Sequence, residues 1–374
     1  MFDDPQLYIF ALIISASIYW VIPWKSPRLS FLLGISMLLV MIFYPQVLPV
    51  ALLMTLVTWY GGNLLAKEKL KNVWIVIGAL VAIFVASRLV SQNTNLIVDT
   101  GLTFLLLKST GAVFESSKRK VVHKLKDVML LNFLFPIFPS GPIELSSTVN
   151  EKQFADSIPL KQVGEAIYRV VIGLFKAVFL VDIFLFGYMQ SILGSGAIED
   201  LSTGDSWLYT YLKFLSVYLN FSGVIDIVIG TGLLFGIRFA ENFNFPLIAT
   251  NIQNFWKRWH MSLGRWINRY LFNILVRNTG KVGLSLMITF GLVGAWHAFS
   301  INYVIWGVLH GVGLTFIYKL GKKTPEWYKP IRAAVPYNVF ACVFTVTFVA
   351  VLSTFANTSS FSQGLAYAGN LIGL

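Results

Sequence analysis

The sequence predicts an all-α protein that crosses a membrane many times. Of its 374 residues, 56% are hydrophobic and 12% are charged, compared with about 25% charged residues in soluble domains. The mean hydropathy is +0.71, and no long polar linker separates the apolar runs. Long apolar runs are typical of transmembrane helices, because a helix satisfies its own backbone hydrogen bonds in lipid. We therefore expect one polytopic membrane domain.

The apolar runs predict about ten or eleven transmembrane helices. Several runs are shorter than the roughly 20 residues that cross a bilayer upright, so some elements should be interfacial or re-entrant helices. The predicted spans lie near residues 7–22, 29–44, 46–65, 73–90, 96–111, 165–193, 207–237, 281–297, 301–320 and 336–356, with a shorter apolar tail near 361–374. The first run lacks a basic leader and an Ala-x-Ala cleavage pattern, so we expect it to be retained.

The net charge of +12 does not indicate a nucleic-acid partner in this setting. The Lys and Arg residues lie in short clusters between apolar runs, which is typical of topology signals and of contacts with anionic lipids. The only cysteine, Cys342, lies inside an apolar run. A single cysteine excludes an intramolecular disulfide framework and a cysteine-rich metal site.

One basic and aromatic segment, residues 251–275, differs from the apolar sequence around it. We predict that it is a continuous helix at the membrane surface. On such a helix Arg258, Arg265 and Arg269 fall within about 20° of one another, and His260 falls on the opposite, apolar side. His260 would then point inward, either into a functional cavity or simply as a packed polar side chain.

Two further stretches place unusual features inside apolar runs. Prolines and a glycine break the segment that contains Pro139, Ser140, Gly141 and Pro142, which predicts either a cavity wall or a plain turn between helices. Farther along, Asn220, Ser222 and Asp226 lie in or beside a predicted span. Carboxylates inside a membrane are usually functional, although Asp226 could instead form an ion pair with Arg238.

Three of the four histidines, His260, His297 and His310, follow one another in a tryptophan-rich part of the chain. Imidazole titrates near pH 6.5, so these side chains could take a proton from a hydroxyl and pass it on. The sequence contains no G-x-S-x-G elbow, Walker A loop or H-E-x-x-H motif. The residues alone leave a transferase, a proton-coupled transporter and a haem-binding protein as alternatives.

Specific motifs resemble those of the membrane-bound O-acyltransferases, in particular the bacterial branch of alginate O-acetyltransferases and teichoic acid D-alanyltransferases. They are FWKRWHMSL at 255–263, AWH at 295–297 and LHG at 309–311, with Pro139-Ser140-Gly141-Pro142-Ile143 upstream. The resemblance covers residues 130 to 315, approximately. It implies one domain over 1–374, with scaffold helices over 1–128, a catalytic core over 129–315 around a central funnel, and C-terminal helices over 316–374.

The resemblance also implies roles for individual residues. His297 matches the family's catalytic histidine, His260 matches its essential companion, and His310 matches a further histidine with a less defined role. His297 would act as a general base on the acceptor hydroxyl. The expected substrate-binding or cavity residues are His310, Trp296, Asn220, Ser222, Asp226, Pro139, Ser140, Gly141, Pro142, Trp256 and Arg258.

The implied reaction moves an acyl group from a cytoplasmic thioester, acyl-CoA or an acylated carrier protein, to an extracytoplasmic hydroxyl. No permanently bound cofactor, metal or nucleic acid is expected. The expected partners are the acyl donor, anionic lipids and an extracytoplasmic acyltransferase or glycan-modifying protein. The expected location is the bacterial inner (cytoplasmic) membrane.

Two departures from the family pattern affect the expected specificity. Relatives carry an aspartate where this chain has Arg269, and they carry a glycine where it has Ala298. The first change puts docking of a carrier protein in doubt. We expect acetyl transfer to a cell-envelope glycan, with D-alanyl transfer to a teichoic acid-like polymer as the alternative. A transporter or export-channel subunit without catalysis, or an assembly subunit, is the alternative of another class.

Overall fold

The computed structural model describes residues 5–93, 101–194, 196–321, 335–356 and 358–374. All regular structure in these residues is helical, which confirms the predicted all-α, polytopic fold. The helices are α1 (Pro5–Val21), α2 (Lys25–Phe43), α3 (Leu48–Ala66), α4 (Val73–Asn93), α5 (Leu102–Arg119), α6 (Leu125–Phe133), α7 (Leu160–Leu193), α8 (Thr203–Leu234), α9 (Ile252–Trp256), α10 (Met261–Ile267), α11 (Asn273–Thr279), α12 (Val282–His297), α13 (Ile301–Gly321), α14 (Val335–Ala356) and α15 (Phe361–Asn370).

Seven of the described helices are long and apolar enough to cross a membrane, namely α2, α3, α4, α7, α8, α13 and α14. Two shorter apolar helices lie at Leu7–Val21 and at α12. The predicted span near 96–111 begins outside the described residues and continues into α5. Four charged residues, including Lys108 and Glu115, interrupt the apolar sequence of α5, so this helix is less apolar than the seven long ones.

The described chain divides into two compact units. The first comprises residues up to 175 together with 223–241, and the second comprises 176–222 together with 242–374. The core of the first unit lies among α3, α4 and α5, where Met54, Leu80 and Leu105 are fully buried. Polar groups are also buried in this unit, and Lys108 and Glu115 are almost inaccessible to solvent.

The proline-rich segment after α6 belongs to the first unit and is mostly buried. Its helical hydrogen bonding stops because proline has no backbone N–H. The buried ammonium of Lys108 donates to the carbonyl oxygen of Ile137 at 3.1 Å, and the carboxylate of Glu144 accepts from the Ala240 N–H at 2.8 Å. These side chains satisfy backbone groups that would otherwise lie unpaired in an apolar setting.

In the second unit, α12 and α13 approach each other closely through glycines. A Cβ atom at Gly294 would overlap the carbonyl oxygen of Tyr303, and one at Gly307 would overlap that of Phe290. Small residues at such positions allow two membrane helices to pack backbone against backbone. The contact holds the end of α12, which carries His297, beside the first turns of α13.

The prediction of one continuous helix over residues 251–275 is wrong. Asn251 caps the five-residue helix α9 by accepting from the Asn254 N–H, and the chain then turns before α10 starts at Met261. The turn ends at His260, whose backbone is left-handed, with φ 46° and ψ 53°. A π-helical turn over Asn268–Phe272 then joins α10 to α11.

Because the helix is interrupted at His260, the helical-wheel argument cannot place Arg258 on the same face as Arg265 and Arg269. Arg258 precedes the break, whereas Arg265 and Arg269 follow it. His260 nevertheless points inward, because its side chain is buried. The inward position therefore comes from the local backbone geometry rather than from helical periodicity.

Candidate active site

A cavity of about 200 Å³ in the second unit brings the three histidines of the tryptophan-rich region together. Its lining includes His260, His297 and His310, with Trp256 beside them. The residues come from α8, the 255–263 segment, α12, α13 and α14. Most of the lining is aromatic or aliphatic, so the imidazole rings are the main polar groups that face the cavity.

His260 is the most constrained of the three rings. Its side chain is 3% exposed, and the ring meets the Phe221 ring edge to face at 4.9 Å. Burial lowers the pKa of His260 from 6.5 to about 3, and positive charge on His297 and Arg265 lowers it further. The imidazole of His260 is therefore neutral at physiological pH, so it can exchange hydrogen bonds but carries no charge.

His297 differs from His260 because it is exposed and ends a helix. Its ring lies 4.6 Å from that of Trp296 and 5.6 Å from that of Trp306, both in edge-to-face geometry. The Tyr303 ring is roughly parallel to it at 6.2 Å. Aromatic rings therefore surround this imidazole on several sides while leaving part of it open to the surroundings.

His310 is fully buried on α13. Its Nδ1 lies 2.8 Å from the carbonyl oxygen of Trp306, one turn earlier. A carbonyl oxygen only accepts hydrogen bonds, so Nδ1 carries the hydrogen and Nε2 keeps its lone pair. The ring packs against Trp306 at 4.7 Å and Trp256 at 5.4 Å. His310 therefore supports the tryptophan that contacts His297.

This arrangement suits proton transfer at a reacting hydroxyl. The neutral imidazole of His260 can exchange hydrogen bonds, and the exposed ring of His297 at the cavity wall can reach an incoming substrate. The sequence has no Asp or Glu between Asn242 and Pro325, and none of the described lining residues of the cavity carries a carboxylate. Among the described residues, no group of three or more His, Cys, Asp or Glu side chains could hold a metal ion.

The other predicted site residues of the second unit lie at or near the cavity. Trp256 lines it, and Trp296 contacts the His297 ring without being among the described lining residues. The Arg258 guanidinium donates to the carbonyl oxygen of Asn244 at 3.0 Å and to the Asn254 side chain at 2.9 Å. Its described contacts are therefore with the protein's own loop.

Asn220 and Ser222 lie in the part of α8 that belongs to the second unit, and neither is among the described residues that line the cavity. Asn220 is exposed. The buried hydroxyl of Ser222 donates to the carbonyl oxygen of Leu219 in its own helix at 3.3 Å. Their role in substrate binding stays a prediction.

The remaining predicted site residues belong to the first unit. Pro139, Gly141 and Pro142 are buried there, and Ser140 is half-buried. Asp226 accepts a hydrogen bond from Arg169 at 2.5 Å, and the same guanidinium also pairs with Glu241.

Arg238, the partner proposed for Asp226 from the sequence, instead forms a bidentate pair with Glu165, at 2.7 and 2.9 Å. Asp226 therefore does form an ion pair, but its partner is Arg169 rather than Arg238.

Sequence reasoning missed the aromatic frame of the cavity, above all Phe221, Tyr303 and Trp306. Trp306 precedes His310 by four residues and therefore lies on the same helical face. That spacing was a usable signal. Phe221 carried none, because its contact with His260 joins positions far apart in the sequence.

A larger cavity, of about 770 Å³, lies between α13 and α14. Its described lining contains no histidine and is dominated by residues such as Phe316, Phe344 and Phe348. We assign the candidate site to the smaller cavity, because size alone supplies no chemistry whereas the imidazoles do.

Comparison with known proteins supports an acyltransferase. The sequence model of the MBOAT, membrane-bound O-acyltransferase family, matches residues 55–354. A probable alginate O-acetylase of Pseudomonas fluorescens is 30% identical over 254 residues, 65% of this chain and 50% of the relative.

Two other relatives act on different polymers. A peptidoglycan O-acetyltransferase of Helicobacter pylori is 29% identical over 296 residues, 76% of this chain and 51% of the relative. A teichoic acid D-alanyltransferase of Bacillus subtilis is 29% identical over 279 residues, 68% of this chain and 67% of the relative. The chain thus spans about half the length of the alginate and peptidoglycan O-acetylating relatives that it matches.

Proposed function

Because this chain belongs to the membrane-bound O-acyltransferase family, we propose that it transfers an acyl group, preferably acetyl, from a thioester to a hydroxyl of an extracytoplasmic envelope glycan. The observation that carries the proposal is that His260 and His297 line one cavity. One reacting centre can then contact both rings, as general acid–base catalysis requires.

In the proposed reaction, His297 takes the proton of the acceptor hydroxyl while the hydroxyl oxygen attacks the thioester carbonyl carbon. The C–S bond then breaks, the acyl group stays on the acceptor oxygen, and the leaving thiolate receives the proton from His297. His260 is neutral and could donate a hydrogen bond to the carbonyl oxygen as negative charge develops there. No covalent acyl-enzyme is needed.

The size of the cavity supports a short acyl group. The cavity has a volume of about 200 Å³, several times the roughly 10–15 Å³ that one water molecule needs. That space is sufficient for an acetyl or alanyl thioester terminus. Acetyl is preferred because the alginate and peptidoglycan relatives are named as O-acetylating enzymes.

The proposed donor is a cytoplasmic acyl-CoA or acylated carrier protein, and the proposed location is the bacterial cytoplasmic membrane. Exposed cations at Lys257, Arg265 and Arg269 lie near the histidine segment. They would attract an anionic donor or anionic lipid headgroups. An extracytoplasmic acyltransferase or glycan-modifying protein remains the proposed partner for the final acceptor.

A second candidate is D-alanyl transfer to a teichoic acid-like polymer. The favouring observation is coverage, because the match to the Bacillus subtilis D-alanyltransferase extends over 67% of that relative and the match to the Pseudomonas fluorescens enzyme over 50%. The two candidates share the same cavity and general base. They differ only in the donor and the acceptor.

The test is acyl transfer by the full chain reconstituted in vesicles, supplied in parallel with labelled acetyl-CoA, an acetylated carrier protein and a D-alanylated carrier protein. We expect a labelled product with one donor, and we expect His297→Ala to reduce its formation on the order of 10²–10⁴-fold. His123→Ala is the matched control, because His123 lies in the first unit.

Retention of near-normal transfer by a well-folded His297→Ala protein would contradict the assigned base. Movement of acyl donor across the vesicle without a covalent product would favour a channel. Equal losses in the two histidine variants would show that the effect is structural rather than catalytic.

A further inference from the structure

His260 occupies a backbone position at the start of α10 that its own side chain does not cap. It is the N-cap residue of α10, and its imidazole makes no capping hydrogen bond. It also adopts left-handed φ and ψ angles, which cost a non-glycine residue on the order of 1 kcal/mol or more. Some other group must therefore hold this conformation.

We propose that Asn242 is the positioning residue of the catalytic centre, because it caps α10 in place of His260 and thereby holds the imidazole in the cavity. The expected effect of Asn242 on turnover rests on the proposed acyl transfer. The geometric part of the proposal stands on the hydrogen bonds of Asn242 alone.

Asn242 binds the first two backbone N–H groups of α10. Its carbonyl oxygen accepts from the Met261 N–H at 2.9 Å, and its side-chain Oδ1 accepts from the Ser262 N–H at 2.9 Å. These are donors that a helix leaves unsatisfied at its start. In an ordinary helix the N-cap side chain would satisfy one of them. Here a residue eighteen positions upstream does so, and the His260 side chain is left to face the cavity.

The segment that carries Asn242 is itself fixed on both sides. The Asn244 N–H donates to the carbonyl oxygen of Arg258 at 2.9 Å, and the Arg258 guanidinium returns a bond to the Asn244 carbonyl oxygen at 3.0 Å. Between them, the Phe243 ring packs against Trp259 and Phe221, each at 5.1 Å. Residues 242–244 and 258–262 therefore form one clamp around His260.

Burial makes the clamp sensitive to substitution. Asn242 is completely buried, Ser262 is 1% exposed and His260 is 3% exposed, so water cannot replace a lost capping bond without opening the segment. A buried N–H without an acceptor favours rearrangement of the turn. Displacement of a catalytic group by about 1 Å can reduce turnover about 10²-fold.

The main experiment compares Asn242→Leu, which keeps the size and removes the acceptor, with Asn242→Asp, which keeps an acceptor oxygen. Asn132→Leu is the matched control, because Asn132 is equally buried but donates to Thr55 and Ser109 in the first unit. We measure kcat and KM for the labelled donor that the wild type uses. We also follow the titration of the His260 ring by NMR of histidine-labelled protein in detergent.

We expect Asn242→Leu to lower kcat about 10²-fold with little change in KM, and to move the His260 titration upward towards the ordinary pH of 6.5. Asn242→Asp should keep kcat near the wild-type value, and Asn132→Leu should change neither kcat nor the titration. An unchanged titration and kcat in Asn242→Leu would overturn the proposal. So would an Asn242→Asp protein indistinguishable from Asn242→Leu.

A wild-type measurement covers the case in which Asn242→Leu does not fold. The proposal requires slow amide hydrogen exchange at Met261 and Ser262, and exchange as fast as at exposed loop amides would overturn it. If the wild type transfers no acyl group, the proposed function fails while the exchange and titration results still decide whether the clamp exists.

Discussion

The two units of the molecule bury polar groups in different ways. In the first unit, buried and half-buried charges meet opposite charges or backbone acceptors, as Arg169 does with Asp226 and Lys108 with Ile137. In the second unit, the polar rings of His260, His297 and His310 contact aromatic rings in and around their cavity.

The difference teaches where each unit should be sensitive. Removing one partner of a buried ion pair destabilises the protein, because the other charge then stays unpaired in an apolar setting. Aromatic contacts are individually weak, about 0.5–1.5 kcal/mol each, yet they determine where an imidazole ring lies. Substitutions should therefore affect mainly stability in the first unit and mainly ring position in the second.

The largest change in stability is expected at the glycine contact between α12 and α13. This contact is an exception in the second unit, because its packing determines stability. Gly307→Ala should destabilise the protein by about 3 kcal/mol, because the new Cβ meets the backbone carbonyl of Phe290, which cannot rotate away. Denaturant unfolding in detergent measures the change. The control is Gly187→Ala in α7 of the same unit, since no atom lies within 4 Å of its added Cβ. Similar losses in both variants would contradict the close helix contact.

A smaller effect is expected from the ion pairs of the first unit. Arg169→Met should cost about 2 kcal/mol of unfolding free energy, below the usual figure for a fully buried pair, because the Arg169 side chain is 25% exposed. Arg238→Met should cost less than about 1 kcal/mol, because Arg238 and Glu165 are 58% and 37% exposed. The same unfolding assay compares the two. Equal costs would show that burial does not distinguish these pairs.

An effect smaller than the loss at Arg169 is a pH dependence that arises at His260. Its folded pKa of about 3 lies below the unfolded value of 6.5, so the unfolded chain binds the extra proton between these values. Stability is therefore fully present above pH 6.5 and decreases as the pH falls. From pH 7.5 to 5.5 this residue should remove about 1.4 kcal/mol. His260→Gln should lack that part of the slope, and parallel slopes for the two proteins would contradict the buried, neutral imidazole.

The helices could be predicted closely from the sequence because hydropathy is a local property. The predicted spans near 29–44, 46–65 and 301–320 correspond to α2, α3 and α13 within a few residues. The helix over 251–275 failed for the opposite reason. Its interruption depends on Asn242, which lies outside the segment and carries no periodic signal.

The candidate site was predictable to a similar extent. The motifs identified His260 and His297, and the structure shows that both line one cavity, whereas their catalytic roles stay predictions. The partner of Asp226 could not be read from proximity in sequence, because Arg238 is closer along the chain but pairs with Glu165. Pairing among several charges depends on which helices meet, and composition does not specify that.

The left-handed backbone at His260 also has an evolutionary consequence. Asparagine, like histidine, tolerates these angles better than most residues, so selection for thermal stability alone should accept asparagine in place of the histidine. Selection for chemistry should retain the imidazole. In a variant library sorted separately for folding and for turnover, position 260 should therefore give opposite preferences, whereas a buried core position such as Leu80 should give the same preference in both.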